Sequence, residues 1–91
     1  MLTIKKTTQF KKDFKRILKQ GYDVKELEEV IKKLAFREEL EERYCDHQLV
    51  GEWKDFRECH IRPDWLLIYL VKTDELVLTL TRTGSHSELD L

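Results

Sequence analysis

Two periods divide this chain of 91 residues. Through Leu34 the apolar positions recur with helical spacing, and from Trp53 they alternate with a period of two. Leu2-Thr3-Ile4 reads as a short opening strand, followed by Lys5-Lys6, and Thr7 or Thr8 is placed to cap the next helix. In that helix Phe10, Phe14, Ile17 and Leu18 form one apolar stripe, with Lys11, Lys12, Lys15, Arg16 and Lys19 opposite. Gly21 sits where a left-handed residue ends a helix. Asp23 and Glu26 have capping-box spacing ahead of a second stripe of Leu27, Val30, Ile31 and Leu34, with Tyr22 and Leu27 at the staple positions. The short loop between the two makes them an antiparallel hairpin.

The charge run Arg37–Arg43 extends the second helix or forms a solvated loop, and its pattern does not decide which. Gly51 punctuates the stretch before Trp53. Beyond it, Lys54, Phe56, Glu58 and His60 alternate with Trp53, Asp55, Arg57, Cys59 and Ile61. Neither set is cleanly apolar, so one side of this strand is expected to leave the core and line a cleft. Pro63 supports a turn, and Trp65–Val71, apolar at both parities, reads as a central strand. Lys72-Thr73-Asp74-Glu75 closes a hairpin to Leu76–Arg82, where Leu76, Leu78 and Leu80 alternate with Val77, Thr79 and Thr81. Strict alternation puts Arg82 on the leucine face, and only a bulge or the strand end would re-aim it. Thr83-Gly84-Ser85 breaks the strand, and His86-Ser87-Glu88-Leu89 is a candidate last strand. The predicted fold is α+β over residues 1–91 as one domain: a short N-terminal strand and a two-helix antiparallel hairpin packed on one face of a mainly antiparallel sheet. The other face is free to carry chemistry.

Composition narrows this picture. The formal net charge is only −1, but residues 1–20 carry seven Lys/Arg against one acid, so the basic end is the first helix. A uniformly basic nucleic-acid binder is excluded. Cys45 and Cys59 have neither CxxC nor metal-finger spacing and read as reduced, with Cys59 a small core residue. The apolar run Trp65–Val71 is far too short to span a bilayer, and with no signal peptide the chain is expected to be cytoplasmic.

The candidate chemistry lies in the second half. His47, His60 and His86 each stand near a carboxylate or a cation: Asp46 beside His47, Glu58 and Asp64 near His60, Arg82 before His86. Such a set suits RNA cleavage through the RNA's own 2′-hydroxyl. That reaction needs a base for the 2′ proton, an acid for the departing 5′-oxygen, and cations for the charge on phosphorus. Imidazoles titrate near neutral pH, and arginine offers phosphate a bidentate fork. The rival reading is a metal site, but the intervals between the histidines match no ligand spacing. HExxH, a Gly-rich phosphate loop and a nucleophile elbow are all missing. The lysine face of the first helix is either a solvated face or a contact for RNA phosphates.

At Asp46-His47-Gln48-Leu49, Gly51, Trp53-Lys54, Phe56-Arg57-Glu58-Cys59-His60, Pro63-Asp64-Trp65-Leu66-Leu67-Ile68-Tyr69 and Arg82-Thr83-Gly84-Ser85-His86-Ser87-Glu88-Leu89 the chain resembles the YafQ-type branch of the RelE/ParE toxin superfamily. The resemblance runs from about residue 44 to the end, and the strand–helix–helix opening agrees with it. It implies a RelE-like fold and a ribosome-dependent messenger RNA endonuclease that inhibits translation, the toxin of a type II toxin–antitoxin pair. It further implies a DinJ-like antitoxin as partner, contact with ribosome and mRNA, and operator DNA only through the antitoxin complex; the acid–base chemistry itself calls for no cofactor or metal. By position, His86 matches the family's proposed general acid, and His60 with Asp64 its essential acid–base pair. Glu58 falls on an acidic position, and His47 and Arg82 on the remaining phosphate-site positions. Lys54, Arg57, Arg62 and Trp65 are the expected RNA contacts. The chain departs from the family at its end, Leu89-Asp90-Leu91, where members often carry a phenylalanine. The alternative is a toxin-fold module that binds antitoxin and represses the operon with little or no catalysis. A gyrase-directed toxin of the same superfamily does not use this histidine set.

Overall fold

The computed structural model describes residues 1–91. A first strand, β1 (Thr3–Lys6), leads into helix α1 (Thr8–Lys19). Thr7 caps that helix by accepting the Phe10 amide at 2.9 Å. Gly21 is left-handed at φ 79°, which lets the chain reverse at once into α2 (Val24–Ala35). Asp23 caps α2 through the Lys25 amide, whereas Glu26 turns outward and pairs with Arg62 instead of closing a capping box. Phe36 ends α2 and Arg37 is left-handed (φ 61°), so the charge run is a loop closing in a 3-10 turn at Glu42–Tyr44.

Four more strands succeed it: β2 (His47–Gln48), β3 (Arg57–Arg62), β4 (Trp65–Lys72) and β5 (Val77–Gly84), then a short helix α3 (His86–Leu89). The sheet order is β1-β5-β4-β3-β2, and only the β1–β5 pair is parallel. Phe10 and Ile17 from α1 and Leu27, Val30 and Leu34 from α2 cover one face, against Cys59, Ile61, Leu67, Tyr69, Leu78 and Leu80. On the opposite face Leu66 and Ile68 of β4 meet Leu89, with Leu49, Trp53 and Phe56 at the margin. Burial on both faces makes β4 the central strand its apolar run predicts.

Four details depart from the sequence reading. β3 begins at Arg57, because Gly51–Trp53 is a 3-10 turn; Trp53 and Phe56 meet edge to face at 5.1 Å rather than on opposite sides of a strand. Leu76 is left-handed (φ 56°) and exposed in the β4–β5 turn. On α1 Leu18 is exposed, and the fully buried position is Asp13. The last segment is a helix, not a strand, because Ser85 and Glu88 form a capping box: Ser85 Oγ accepts the Glu88 amide and Glu88 Oε1 accepts the Ser85 amide.

Two devices set the far end of β5. The first is a side-chain edge. β1 pairs with β5 only as far as Leu80. Beyond that point α1 satisfies the free strand edge: Thr7 Oγ1 donates to Thr81 O (2.8 Å), Arg16 donates to Thr83 O (2.9 Å), and Asp13 Oδ2 accepts the Thr83 amide (3.2 Å). The second device is a bulge. Tyr69 opposes Leu80 but Ile68 opposes Arg82, so Thr81 is the extra residue and the alternation flips. Arg82 therefore shares the face of Ile68, away from the leucines, because directly opposed residues of an antiparallel pair share a face.

Candidate active site

Since Cys59 and Ile61 of β3 enter the core beneath the helices, Glu58 and His60 must emerge on the other face. β2 is only two residues long, yet it pairs His47 directly with Glu58 and so puts both on that face. The β3–β4 turn carries Asp64 to the start of α3. There its Oδ1 accepts both the backbone amide (3.0 Å) and Nδ1–H (2.6 Å) of His86. The side-chain bond from His86, then the backbone bond, hold the Asp64 carboxyl below the usual carboxylate range.

The three imidazoles form a row. His60 lies 5.5 Å from His86 and 6.2 Å from His47, ring centre to ring centre. Each ring is oriented through Nδ1 by an acceptor-only oxygen: Cys45 O for His47 (2.7 Å), Pro63 O for His60 (3.3 Å) and Asp64 for His86. Nδ1 must then carry the hydrogen in all three, leaving Nε2 turned to the open face. Nε2 of His60 and of His47 converge on one oxygen, Glu58 Oε1, at 3.2 and 3.6 Å. Glu58 is buried and has no lysine or arginine partner; the two imidazoles are its company.

Arg82 stands on the same face by virtue of the bulge, but its guanidinium reaches round the strand edge to Asp13, with Nε–Oδ2 at 2.7 Å and a second bond at 3.2 Å. Asp13 also accepts from Gln9 and Arg16, each at 3.1 Å. Burial alone would raise its carboxyl. The bonds from Arg82, Gln9 and the Thr83 amide outweigh that and bring it below the usual range. Sequence reasoning misses Asp13, although it is the only acid among residues 1–20 and sits inside the apolar stripe between Phe10 and Ile17.

Two of the four expected RNA contacts do not reach this face. Trp65 is 3% exposed, its indole N–H donates to Thr83 Oγ1 at 2.9 Å, and Tyr22 packs edge-on against it, so no ring face is left for a base. Arg57 projects from β3 opposite to Glu58 and pairs with Asp46 at 3.3 Å; Asp46 is also held by the Tyr69 hydroxyl. Arg62 remains at the rim, forked onto Glu26, beside an open depression bordered by Arg43, Cys45 and His60. Lys54 is exposed at the end of the Gly51–Trp53 turn.

Comparison with known proteins gives this arrangement a context. Residues 2–91 match the family described as bacterial toxin of type II toxin–antitoxin system, YafQ. The mRNA interferase toxin YafQ of Escherichia coli K12 is 40% identical over 82 residues, which is 89% of this chain and 87% of that protein. A metal-bound toxin from Helicobacter pylori superposes with a TM-score of 0.93 at 50% identity, covering 98% of this chain and 99% of that one. The toxin of the E. coli DinJ–YafQ complex superposes with a TM-score of 0.89 at 34% identity, over 98% of both chains.

Proposed function

Because this chain belongs to the YafQ family of bacterial type II toxin–antitoxin toxins, we propose that it is an mRNA interferase, an endoribonuclease that cuts messenger RNA and so halts translation. The observation that carries the catalytic part is the Asp64–His86 dyad facing His60 across 5.5 Å on an open sheet face. His86 is the general acid. Asp64 fixes its tautomer and stabilises the imidazolium, leaving Nε2–H free to protonate the departing 5′-oxygen. The base is the His60–Glu58 pair, whose Nε2 and Oε1 share one proton position. The 2′-hydroxyl gives its proton to that pair, the 2′-oxygen bonds to phosphorus, and the P–O5′ bond breaks as His86 delivers its proton. The products are a 2′,3′-cyclic phosphate and a free 5′-hydroxyl. His47, Arg62 and Lys54 supply positive charge around the phosphate, and Arg82 adds its charge from the strand edge where Asp13 holds it.

The fitting substrate is mRNA held by the ribosome, since a net charge of −1 gives the free chain little hold on RNA of its own. A DinJ-like antitoxin is the partner on this reading, which the existence of an E. coli DinJ–YafQ toxin–antitoxin complex among the relatives supports; it would silence the site, and operator DNA would be reached through the antitoxin complex. The test is cleavage of a messenger in a translating extract. His86→Ala and His60→Ala, each with wild-type circular dichroism, are expected to lose about 10²–10⁴-fold in rate. Cleavage at the wild-type rate by folded His86→Ala would remove His86 from the reaction. The competing reading, a module that binds antitoxin without cutting, is favoured by the exposed Asp90 just past α3 and by the near-neutral charge. It predicts that the wild type itself leaves the messenger intact.

A further inference from the structure

The last two strands on the histidine side of the sheet differ in length. β2 stops at His47, opposite Glu58, because Cys45 turns left-handed at φ 47° and takes the chain off the sheet. β3 runs on to Arg62. The Leu49 amide donates to Phe56 O at 2.9 Å, so the residues that follow in step with Phe56 turn their backbone groups toward β2. Glu58 is one of these and meets His47. His60 is the next, and no strand lies opposite it. Its N–H and C=O therefore stand on an open stretch of sheet edge.

That stretch opens into a depression of about 570 Å³ between the Glu42–Tyr44 turn, the start of α2 and the β3–β4 turn, a size that suits a small molecule. Ile61 and Pro63 give it apolar wall, and Arg43 and Arg62 give it cations. Arg43 is held flat: its guanidinium lies 4.4 Å from the centre of the Tyr44 ring and donates to the Tyr44 hydroxyl at 2.6 Å. A guanidinium plane fixed in this way is a platform for a base. Glu26, the one carboxylate on the wall, is forked by Arg62 and so offers RNA little repulsion.

The chemistry of the edge narrows the ligand. One residue's N–H beside its C=O is a donor next to an acceptor. A phosphate offers acceptors and would meet the carbonyl with repulsion. A partner strand runs about 5–6 residues, whereas the open edge ends within three, at the Pro63 turn. A nucleobase fits both limits: its edge carries donors and acceptors side by side, and its ring face suits Arg43. The depression borders His60 but neither Asp64 nor His86. His60 takes the 2′ proton and His86 serves the departing 5′-oxygen, so the nucleotide on this side is the one with the attacking 2′-hydroxyl.

We propose that the open β3 edge at His60, with Arg43 as stacking platform, binds the base of the nucleotide whose 2′-hydroxyl attacks, and that this contact selects the base before the cut. The assignment to that nucleotide rests on the cleavage reading above; base binding at the edge does not.

The experiment is NMR titration of the isotope-labelled chain with adenosine 3′-monophosphate, with inorganic phosphate as the base-free control. The His60 amide and the Arg43 side-chain signal are expected to shift saturably with the nucleotide, beyond any change that phosphate alone produces. Arg43→Ala and Arg43→Lys should each weaken binding about fivefold or more, the second because it keeps the charge without the plane. The Arg43 side chain is 66% exposed, so both variants should fold, checked by circular dichroism. A maleimide on exposed Cys45, at the rim, should fill the depression and abolish the shifts, with Cys45→Ser as the unreactive control. No shift beyond that of phosphate, or wild-type affinity in Arg43→Ala, overturns the site. The other three 3′-nucleotides then rank the bases. In a translating extract the tightest-bound base is expected immediately 5′ of most cuts, and Arg43→Ala is expected to flatten that preference. An unchanged distribution of cuts in Arg43→Ala overturns the selective role. A chain that binds the nucleotide through these residues but never cuts RNA defeats the nuclease reading and upholds the base site.

Discussion

Replacing Asp13 tests the joint on which both the fold and the far end of β5 depend. The carboxylate is 0% exposed and accepts from Gln9, Arg16, Nε and Nη2 of Arg82 and the Thr83 amide. Asp13→Ala leaves the Arg82 guanidinium, 22% exposed at its side chain, without its counter-charge, and a buried amide without an acceptor. Breaking a buried ion pair from one side costs about 3–5 kcal/mol, and an orphaned buried amide about 1–3 kcal/mol. The two overlap, since relaxation that admits water serves both, so a loss of about 3–5 kcal/mol is expected. Against a whole-domain stability of about 5–15 kcal/mol that is a large share. Urea denaturation reads it as a lower midpoint at unchanged slope. Leu18→Ala, at an exposed position on the same helix, is the control and should cost within about 0.5 kcal/mol.

The pH dependence sharpens the test. The Asp13 carboxyl is held below its ordinary value in the folded chain. Its contribution is therefore complete above the unfolded value of about 3.9 and is lost as pH falls through the lower folded value. Asp13→Asn keeps the shape without the charge, so the stability gap between wild type and Asn should be constant from about pH 5 to 7 and shrink below about pH 4. A midpoint within about 1 kcal/mol of wild type for Asp13→Ala, or a gap that does not narrow in acid, would refute the account.

Burial pushes the Cys59 thiol up, with Asp46 and Glu58 adding to the shift, while Cys45 is exposed; a thiol reagent should label one cysteine in the native chain and two in urea, and equal rates for both would be contrary. Asp64→Ala removes the acceptor that orients His86 at an exposed site; mRNA cleavage in a translating extract should fall about 10²-fold or more with the melting temperature unmoved, and a drop in melting alone would contradict the dyad. Trp65→Phe removes the bond to Thr83 Oγ1 and should lower stability by about 1–2 kcal/mol while leaving RNA affinity unchanged; weakened RNA binding at constant stability would restore Trp65 to the contact surface.

How much of this is legible in the sequence depends on the range of each interaction. The helical hairpin, Thr7 and Asp23 as caps, β4 as central strand and Cys59 as core rest on local periodicity and capping, and the structure has them. The grouping of His47, Glu58, His60, Asp64 and His86 is also within reach, because an antiparallel sheet makes neighbours of adjacent strands. Asp13 is not, since its partners Arg82 and Thr83 lie 69 and 70 positions away and only the tertiary fold reveals that α1 runs along an unpaired strand edge. The bulge at Thr81 carries no glycine or proline to announce it. Ser85 and Glu88 do announce a helix, but four residues after a strand break are too few for a period of their own, and the neighbouring strands' period prevails in the reading.

The position of His86 shows why such details matter to the chemistry. A helix of four residues has little cohesion of its own, so a side chain on its first turn is only as fixed as the contacts around it. Three converge here. Asp64 binds both the backbone and the ring of His86 from the β3–β4 turn. The Ser85–Glu88 box closes the helix start. Arg16 of α1 lies against Glu88 (3.0 Å) while also donating to Asp13 and to Thr83 O. Gly84 makes that last contact possible, because at φ 153° it presents no Cβ where the Arg16 guanidinium passes. The lysine-rich helix thus has a structural use through three polar residues that are not lysine: Thr7 at its cap, Asp13 and Arg16 hold the β5 edge, and through Arg16 and Glu88 the same helix braces the segment that carries His86.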